Sequence, residues 1–192
     1  LLESSTPGFD ALIAPGHVAT IMGAEQWQFV IDQHHLPTAV AGFETESLLA
    51  AFYSVLRQKI DKHLFLDNCY PQLVRNKGNL TAKKQLAQTM DIVDANWRGI
   101  GIIPASGFEL KAAWDEHNAR KIFPDYAHSA RRHIGEMPLG CDCASVVLGK
   151  KYPDQCKLYG TACTPKEPIG PCMVSDEGAC RIWWAHGKRH SQ

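Results

Sequence analysis

Neither sign of charge is in excess in this chain: twenty Lys and Arg balance twenty Asp and Glu over 192 residues. No basic run is longer than Lys83-Lys84 or Arg131-Arg132, so the electrostatic footprint that nucleic acid demands is missing. Long apolar runs are missing too, and without about eighteen consecutive apolar residues no helix is expected to span a bilayer. There is no internal repeat and no low-complexity segment. Cysteine is nearly absent from the first 140 residues, which hold only Cys69. That scarcity reads as a cytoplasmic protein whose thiols stay reduced. These absences leave protein partners and small ligands, but neither nucleic acid nor membrane.

What is present is concentrated at the other end. Cys141, Cys143, Cys156, Cys163, Cys172 and Cys180 all lie in the last 52 residues, in loops crowded with Gly and Pro. Loops such as YGTACTPKEP and GPCMVSDEGAC have too few apolar residues to build a core, so a cross-link must replace the missing burial. Zinc knuckles bring thiols in as C-x2-C or C-x4-C pairs. Here the only close pair, Cys141 and Cys143, has one residue between. The short bacterial ferredoxin run is equally absent. Thiolates dispersed over such a tail, in a reducing compartment, favour an iron-sulfur cube with four sulfur ligands. Zinc and disulfides remain open on spacing alone.

Ahead of the tail, short apolar runs alternate with helical patterns. Ala11 to Ala14, Thr38 to Ala41, His63 to Leu66 and Gly99 to Ile103 read as strands buried on both faces of a parallel sheet. Residues 25–33 supply a crossover. Leu48, Leu49, Phe52, Val55 and Leu56 form one stripe of a helix that follows Thr45, and the stripe is expected to face the core. Leu86, Met90 and Val93 mark another helix opened near Thr81, and a last helix is expected over 109–123. The fold class expected is therefore α/β: a three-layer domain with a mostly parallel sheet over 1–108, incomplete at its amino end, then a small cysteine-rich, loop-rich iron-sulfur domain over 109–192.

Ligands in such sheets gather at the carboxyl edge of the strands. The turns expected there are Pro15-Gly16-His17, Gly42-Phe43-Glu44 and Pro104-Ala105-Ser106-Gly107. His17 suits a proton carrier, an iron ligand or a thiol activator, against the plainer role of a helix cap. Glu44 reads first as a helix N-terminal charge. His34, His35, His186 and His190 read as solvated, the tryptophans as packing residues and Arg98 as a salt-bridge partner. Cys69 reads as a small hydrophobe without a role.

The intervals Cys141 to Cys156, Cys156 to Cys163 and Cys163 to Cys180 spell C-x14-C-x6-C-x16-C, and the run CTPKEPIGPCMVSDEGAC encloses the last pair. Together with APGHVATIMG, AVAGFE, Gly78-Asn79 and WRGIGIIPASGFEL, this resembles the carboxy-terminal half of the HypD family of hydrogenase maturation proteins. GFETES and DNCY depart from the family's usual GFEP and Asn-Gln-Tyr. The family's redox dithiol motif, GPGCPVC, has no counterpart in this sequence, which therefore reads as a fragment of a longer protein.

The resemblance implies that Cys141, Cys156, Cys163 and Cys180 ligate one [4Fe-4S] cluster, with Cys143 and Cys172 left over. It also raises His17 and Glu177 as chemically active side chains, Glu177 through its place three residues before Cys180. The implied activity is that of an assembly scaffold rather than a stand-alone enzyme. With HypC-type and HypE-type partners, it would carry a transient iron bearing cyanide and carbonyl ligands, the Fe(CN)2CO unit of [NiFe]-hydrogenase. The cluster would supply electrons to a thiol pair, much as in ferredoxin-thioredoxin reductase. The alternatives are a zinc-stabilised α/β interaction module and a small-molecule enzyme with its site at the sheet edge near His17 and Glu44.

Overall fold

A computed structural model describes residues 2, 8–125 and 137–187. His190 and the Arg131-Arg132 pair lie outside them. The chain divides into two compact units, Leu2–Thr89 and Met90–Gln192 with Leu1.

The first unit is built on three short parallel strands in the order β1 (Leu12–Pro15), β2 (Thr38–Ala41) and β3 (Leu66–Asn68). Leu12 stands opposite Thr38 and Thr38 opposite Leu66. The central strand is buried along its whole length, as expected of a strand covered on both faces. Between β1 and β2 run α1 (Gly16–Met22), a 3-10 turn over Ala24–Trp27 and α2 (Gln28–His34). α3 (Thr45–Asp61) returns the chain to β3, and α4 (Leu80–Thr89) closes the unit. The Asn79 side chain caps α4 by accepting from the Ala82 N–H at 3.0 Å, satisfying one donor that the first turn leaves free.

The face that α3 turns to the sheet shares only Leu48 and Val55 with the apolar stripe expected to be buried. Ser47, Ala51, Ser54, Val55 and Gln58 are buried, whereas Leu49, Phe52 and Leu56 are exposed. The face of β2 it covers carries Ala39 and Ala41, small side chains that admit a close helix. Polar side chains on the buried face tie the two elements. The Ser47 hydroxyl accepts from the Gly42 N–H and donates to the Cys69 carbonyl, both at 2.8 Å. Gln58 exchanges bonds with the backbone of Thr38 and accepts from the Phe65 N–H. Buried polar groups that are fully partnered serve as well as apolar contact and fix register besides.

Residues 90–110 overturn another expectation. Met90 and Val93 are not helical: β4 (Met90–Trp97) and β5 (Gly101–Leu110) form an antiparallel hairpin, and Gly101–Ile103 belongs to it rather than to the parallel sheet. Alternation along MDIVDANW competes with the helical reading, and β-branched residues on both strands, with Ile92 opposite Phe108, favour the strand. Pro104 to Gly107 therefore lies inside β5 and not at the edge of the parallel sheet. In place of the helix expected over 109–123 there are a 3-10 segment, Ala112–His117, and a single turn, α5 (Ala119–Ile122).

Among the described residues, the rest of the second unit is loops and short helices: α6 (Cys143–Val147), a 3-10 turn at Pro153–Gln155, α7 (Pro171–Val174) and α8 (Ala179–His186). Among the described residues no helix is long and apolar enough to cross a membrane.

Candidate metal centre and sheet-edge site

The cysteine tail folds around its own sulfurs. Cys143, Cys163, Cys172 and Cys180 are buried with Val146 and Met173, and Cys141, Leu158, Tyr159, Ile169 and Trp184 pack against them. Each thiol arrives on a different local device. Cys141 follows a turn in which its N–H bonds the Pro138 carbonyl at 2.9 Å, and Gly140 supplies the positive φ of 82°. Cys143 opens α6, Cys156 ends the 3-10 turn begun by Pro153, Cys172 sits in α7 and Cys180 in α8. Cys163 closes a loop by donating its N–H to the Leu158 carbonyl at 2.8 Å.

Backbone amides point at two of these sulfurs. The Asp142 N–H lies 3.5 Å from Cys156 Sγ, and the Ile169 N–H lies 3.4 Å from Cys163 Sγ. Gly170 marks how tightly the sulfurs close in. A Cβ on it would fall 2.5 Å from Cys143 Sγ and 2.6 Å from Cys141 Sγ.

Cys143, one of the two cysteines left over by the spacing, is the hub of the thiol contacts. Hydrogen bonds to its sulfur, from Cys180 first and then from the Cys172 backbone and the Cys141 and Cys172 side chains, lower its pKa to about 5 against the opposing effect of burial. Burial first, and then the bond to Cys143, pushes the Cys172 thiol up to about 12. Cys141 is also pushed up to about 12, chiefly by burial. The bond to Cys143 raises Cys180 further still. Several sulfurs this close cannot all carry charge without a cation among them.

The donor set is all thiol, which suits soft metals: zinc, cuprous copper or an iron-sulfur cluster. Among the described residues, no three His, Cys, Asp or Glu side chains are gathered as ligands of a single metal ion. Glu177 stands exposed at the rim of this unit, in a turn where its N–H bonds Ser175 Oγ at 3.2 Å.

The second candidate is the carboxyl edge of the parallel sheet. β1 ends at Pro15 and hands His17 to the first turn of α1. β2 ends at Ala41 and is followed by Gly42, Phe43 and Glu44. The third loop at this edge, after β3, brings Cys69 and Tyr70 in place of the Pro104 turn. The His17 ring meets Phe43 edge-on with centroids 4.7 Å apart and lies 6.3 Å from Tyr70. The Tyr70 hydroxyl donates to Glu44 Oε1 at 2.8 Å. That bond, aided by Glu44's own backbone N–H and by His17, holds the carboxyl below its usual range. Glu44 does not cap α3 with its side chain, although it occupies the cap position. Nearby Cys69 is half-buried, and burial with Asp67 beside it pushes its thiol up to about 11. It is the reverse of an activated nucleophile.

Comparison with known proteins agrees with the sequence motifs. The HypD family model, described as "Hydrogenase formation hypA family", matches residues 1–187. The chain belongs to the HypD family. It is 35% identical over 180 residues to hydrogenase maturation factor HypD2 of Bradyrhizobium diazoefficiens, covering 93% of this chain and 46% of that protein. To hydrogenase maturation factor HypD of Escherichia coli it is 35% identical over 193 residues, covering 100% of this chain and 50% of the relative. The chain thus spans about half the length of the curated relatives it matches.

In this HypD-family chain the four cysteines chosen by interval all lie in or against the thiol pocket, and so do Cys143 and Cys172. His17 is joined by Glu44 and by Tyr70. His17 and Glu177 belong to different units. Tyr70 was not singled out in the sequence; its signal was its place as the tyrosine of DNCY, the segment that stands where the family usually has Asn-Gln-Tyr.

Proposed function

We propose that this chain carries one [4Fe-4S] cluster on Cys141, Cys156, Cys163 and Cys180 and forms part of a hydrogenase maturation scaffold. Its cargo is the iron of [NiFe]-hydrogenase during attachment of cyanide and carbonyl, in company with HypC-type and HypE-type proteins. The observation that carries the reading is the burial of five tail thiols, Cys143, Cys156, Cys163, Cys172 and Cys180, with half-buried Cys141 packed beside them and two of the sulfurs receiving backbone N–H bonds. When bound, such a cluster supplies electrons one at a time at low potential.

The chain's own residues do the rest. The four thiolates hold the group. The Asp142 and Ile169 amides tune two of them, since hydrogen bonds to sulfur stabilise the added charge. Met173, Leu158, Ile169 and Trp184 limit access of water from their side. His17 and Glu177 handle protons next to the cargo, a role an exposed imidazole and an exposed carboxylate can fill near neutral pH.

Anaerobic purification followed by iron, sulfide and zinc analysis, with visible and electron paramagnetic resonance spectra, tests the cluster. Iron and sulfide in equal amounts are expected. Zinc without sulfide would replace this reading with a zinc-stabilised interaction module. Maturation in a host lacking its own HypD tests the two side chains. His17→Ala and Glu177→Ala should keep fold and iron while maturation fails, and a drop of several degrees in Tm instead would return them to structural roles.

A further inference from the structure

We infer that Tyr70 is a positioning residue of the sheet-edge site, its hydroxyl holding the Glu44 carboxylate beside the His17 imidazole. The inference rests on the proposed reading of His17 as a functional side chain.

Three features leave the tyrosine one place to be. Its side chain is 2% exposed. The ring occupies room left by two glycines: a Cβ at Gly16 would come 2.8 Å from it, and one at Gly42 2.7 Å. Its backbone is pinned as well, because the Tyr70 N–H donates to Asn68 Oδ1 at 3.1 Å while the Asn68 amide donates to the Val74 carbonyl at 2.8 Å. A ring so confined can direct its hydroxyl only outward, to the 2.8 Å bond with Glu44.

The partner side chains have no such confinement of their own. Glu44 and His17 are both exposed, and a free glutamate would wander among rotamers. The bond from Tyr70 selects one of them. Phe43, 61% exposed, does the same for His17 by setting its ring edge-on against the imidazole. The charged and titratable groups acting on Glu44 are Tyr70, from the loop after β3, and His17, from α1; Glu44 is the group acting on Tyr70. A carboxylate held in one rotamer beside an imidazole gives a bound ligand one fixed pair of polar partners instead of a shifting set.

Tyr70→Phe keeps the ring and removes only the hydroxyl, and Glu44→Gln removes the charge but keeps the shape. In the chain as given, NMR titration should show the Glu44 carboxyl moving up toward its ordinary value in Tyr70→Phe, and the His17 resonances changing in Tyr70→Phe and Glu44→Gln alike. The double variant should add nothing to Glu44→Gln at His17, as for residues that act through one bond. In the maturation assay Tyr70→Phe should lose most activity with iron content unchanged. An unmoved Glu44 titration, or effects at His17 that simply add, would overturn the inference. If His17→Ala matures hydrogenase normally, the reading of the site fails on its own. If His17→Ala fails but Tyr70→Phe matures normally, only the positioning role falls.

Discussion

The two units of this chain solve the problem of a small core in opposite ways. Around β2 the interior is hydrocarbon and partnered polar groups: Ala39, Ala41, Ala51 and Val55 on one side of the sheet, Ala14, Ala19, Val40 and Tyr70 on the other. Around Met173 the interior is mostly sulfur. Alanines and valines remain buried whatever the solution holds, because their stabilisation comes from water left behind. Buried thiols are a core only so long as something accounts for their charge and valence. The first unit should therefore be indifferent to metal, and the second should answer to it.

The most drastic way to break the comparison is to take away a ligand. Cys141→Ala, Cys156→Ala, Cys163→Ala or Cys180→Ala should abolish cluster absorption and open 137–187 to protease, because metal binding there is also folding energy. Residues 8–89 should stay resistant in the same digest. Cys143→Ala and Cys172→Ala should keep the absorption, and loss of metal on either would move the ligand assignment. Chelation under reducing conditions should reproduce the ligand variants without any substitution.

A subtler break is Gly170→Ala. Its Cβ would press on two sulfurs at about the length of a short hydrogen bond, so metal content should fall sharply while the first unit's melting is unchanged. Metal analysis beside a thermal scan would detect the split. The converse comes from Ala51→Leu, which overfills the gap between α3 and the sheet. Overpacking of this kind costs about 1–3 kcal/mol, read as a lower unfolding midpoint in denaturant with metal content retained.

The smallest effect concerns pH. Glu44 titrates below its ordinary value in the folded chain, so its bond with Tyr70 contributes above the unfolded carboxyl pKa and is lost as pH falls through the folded one. Tyr70 is shifted up by the same bond, so that contribution is also lost as pH rises through its folded pKa. The Tm difference between the native chain and Tyr70→Phe should be widest near neutral pH and shrink at both ends. A difference constant with pH would mean that Tyr70 contributes packing alone.

Local pattern was legible where one physical cause acted alone. Apolar runs stopped by Pro15 and Gly42 marked β1 and β2 to within a residue or two, since strands buried on both faces have few other uses for such runs. Legibility failed where a helix had two plausible faces. Leu49, Phe52 and Leu56 outweigh Ser47, Ala51 and Ser54 on any hydropathy scale, yet the small face is the buried one. Close approach to an alanine-rich sheet, with Ser47 and Gln58 bonded into it, overrides apolar periodicity. Residues 90–110 failed for a related reason, because Leu86, Met90 and Val93 keep helical spacing across the very point where the helix ends at Thr89 and the hairpin begins.

By itself the sequence determined the family, the absence of a nucleic-acid footprint, the strand signals of the first unit and the intervals between the tail cysteines. All of these are properties of composition and order along the chain. The tertiary structure alone decided which thiols meet, that Cys143 lies at the centre of their contacts, which face of α3 is covered, and that Tyr70 reaches Glu44. Each of those depends on distances between residues far apart in the chain. Such distances are set by how closely backbones approach, at Gly16, Gly42 and Gly170 above all, and that approach leaves no periodic trace in the sequence.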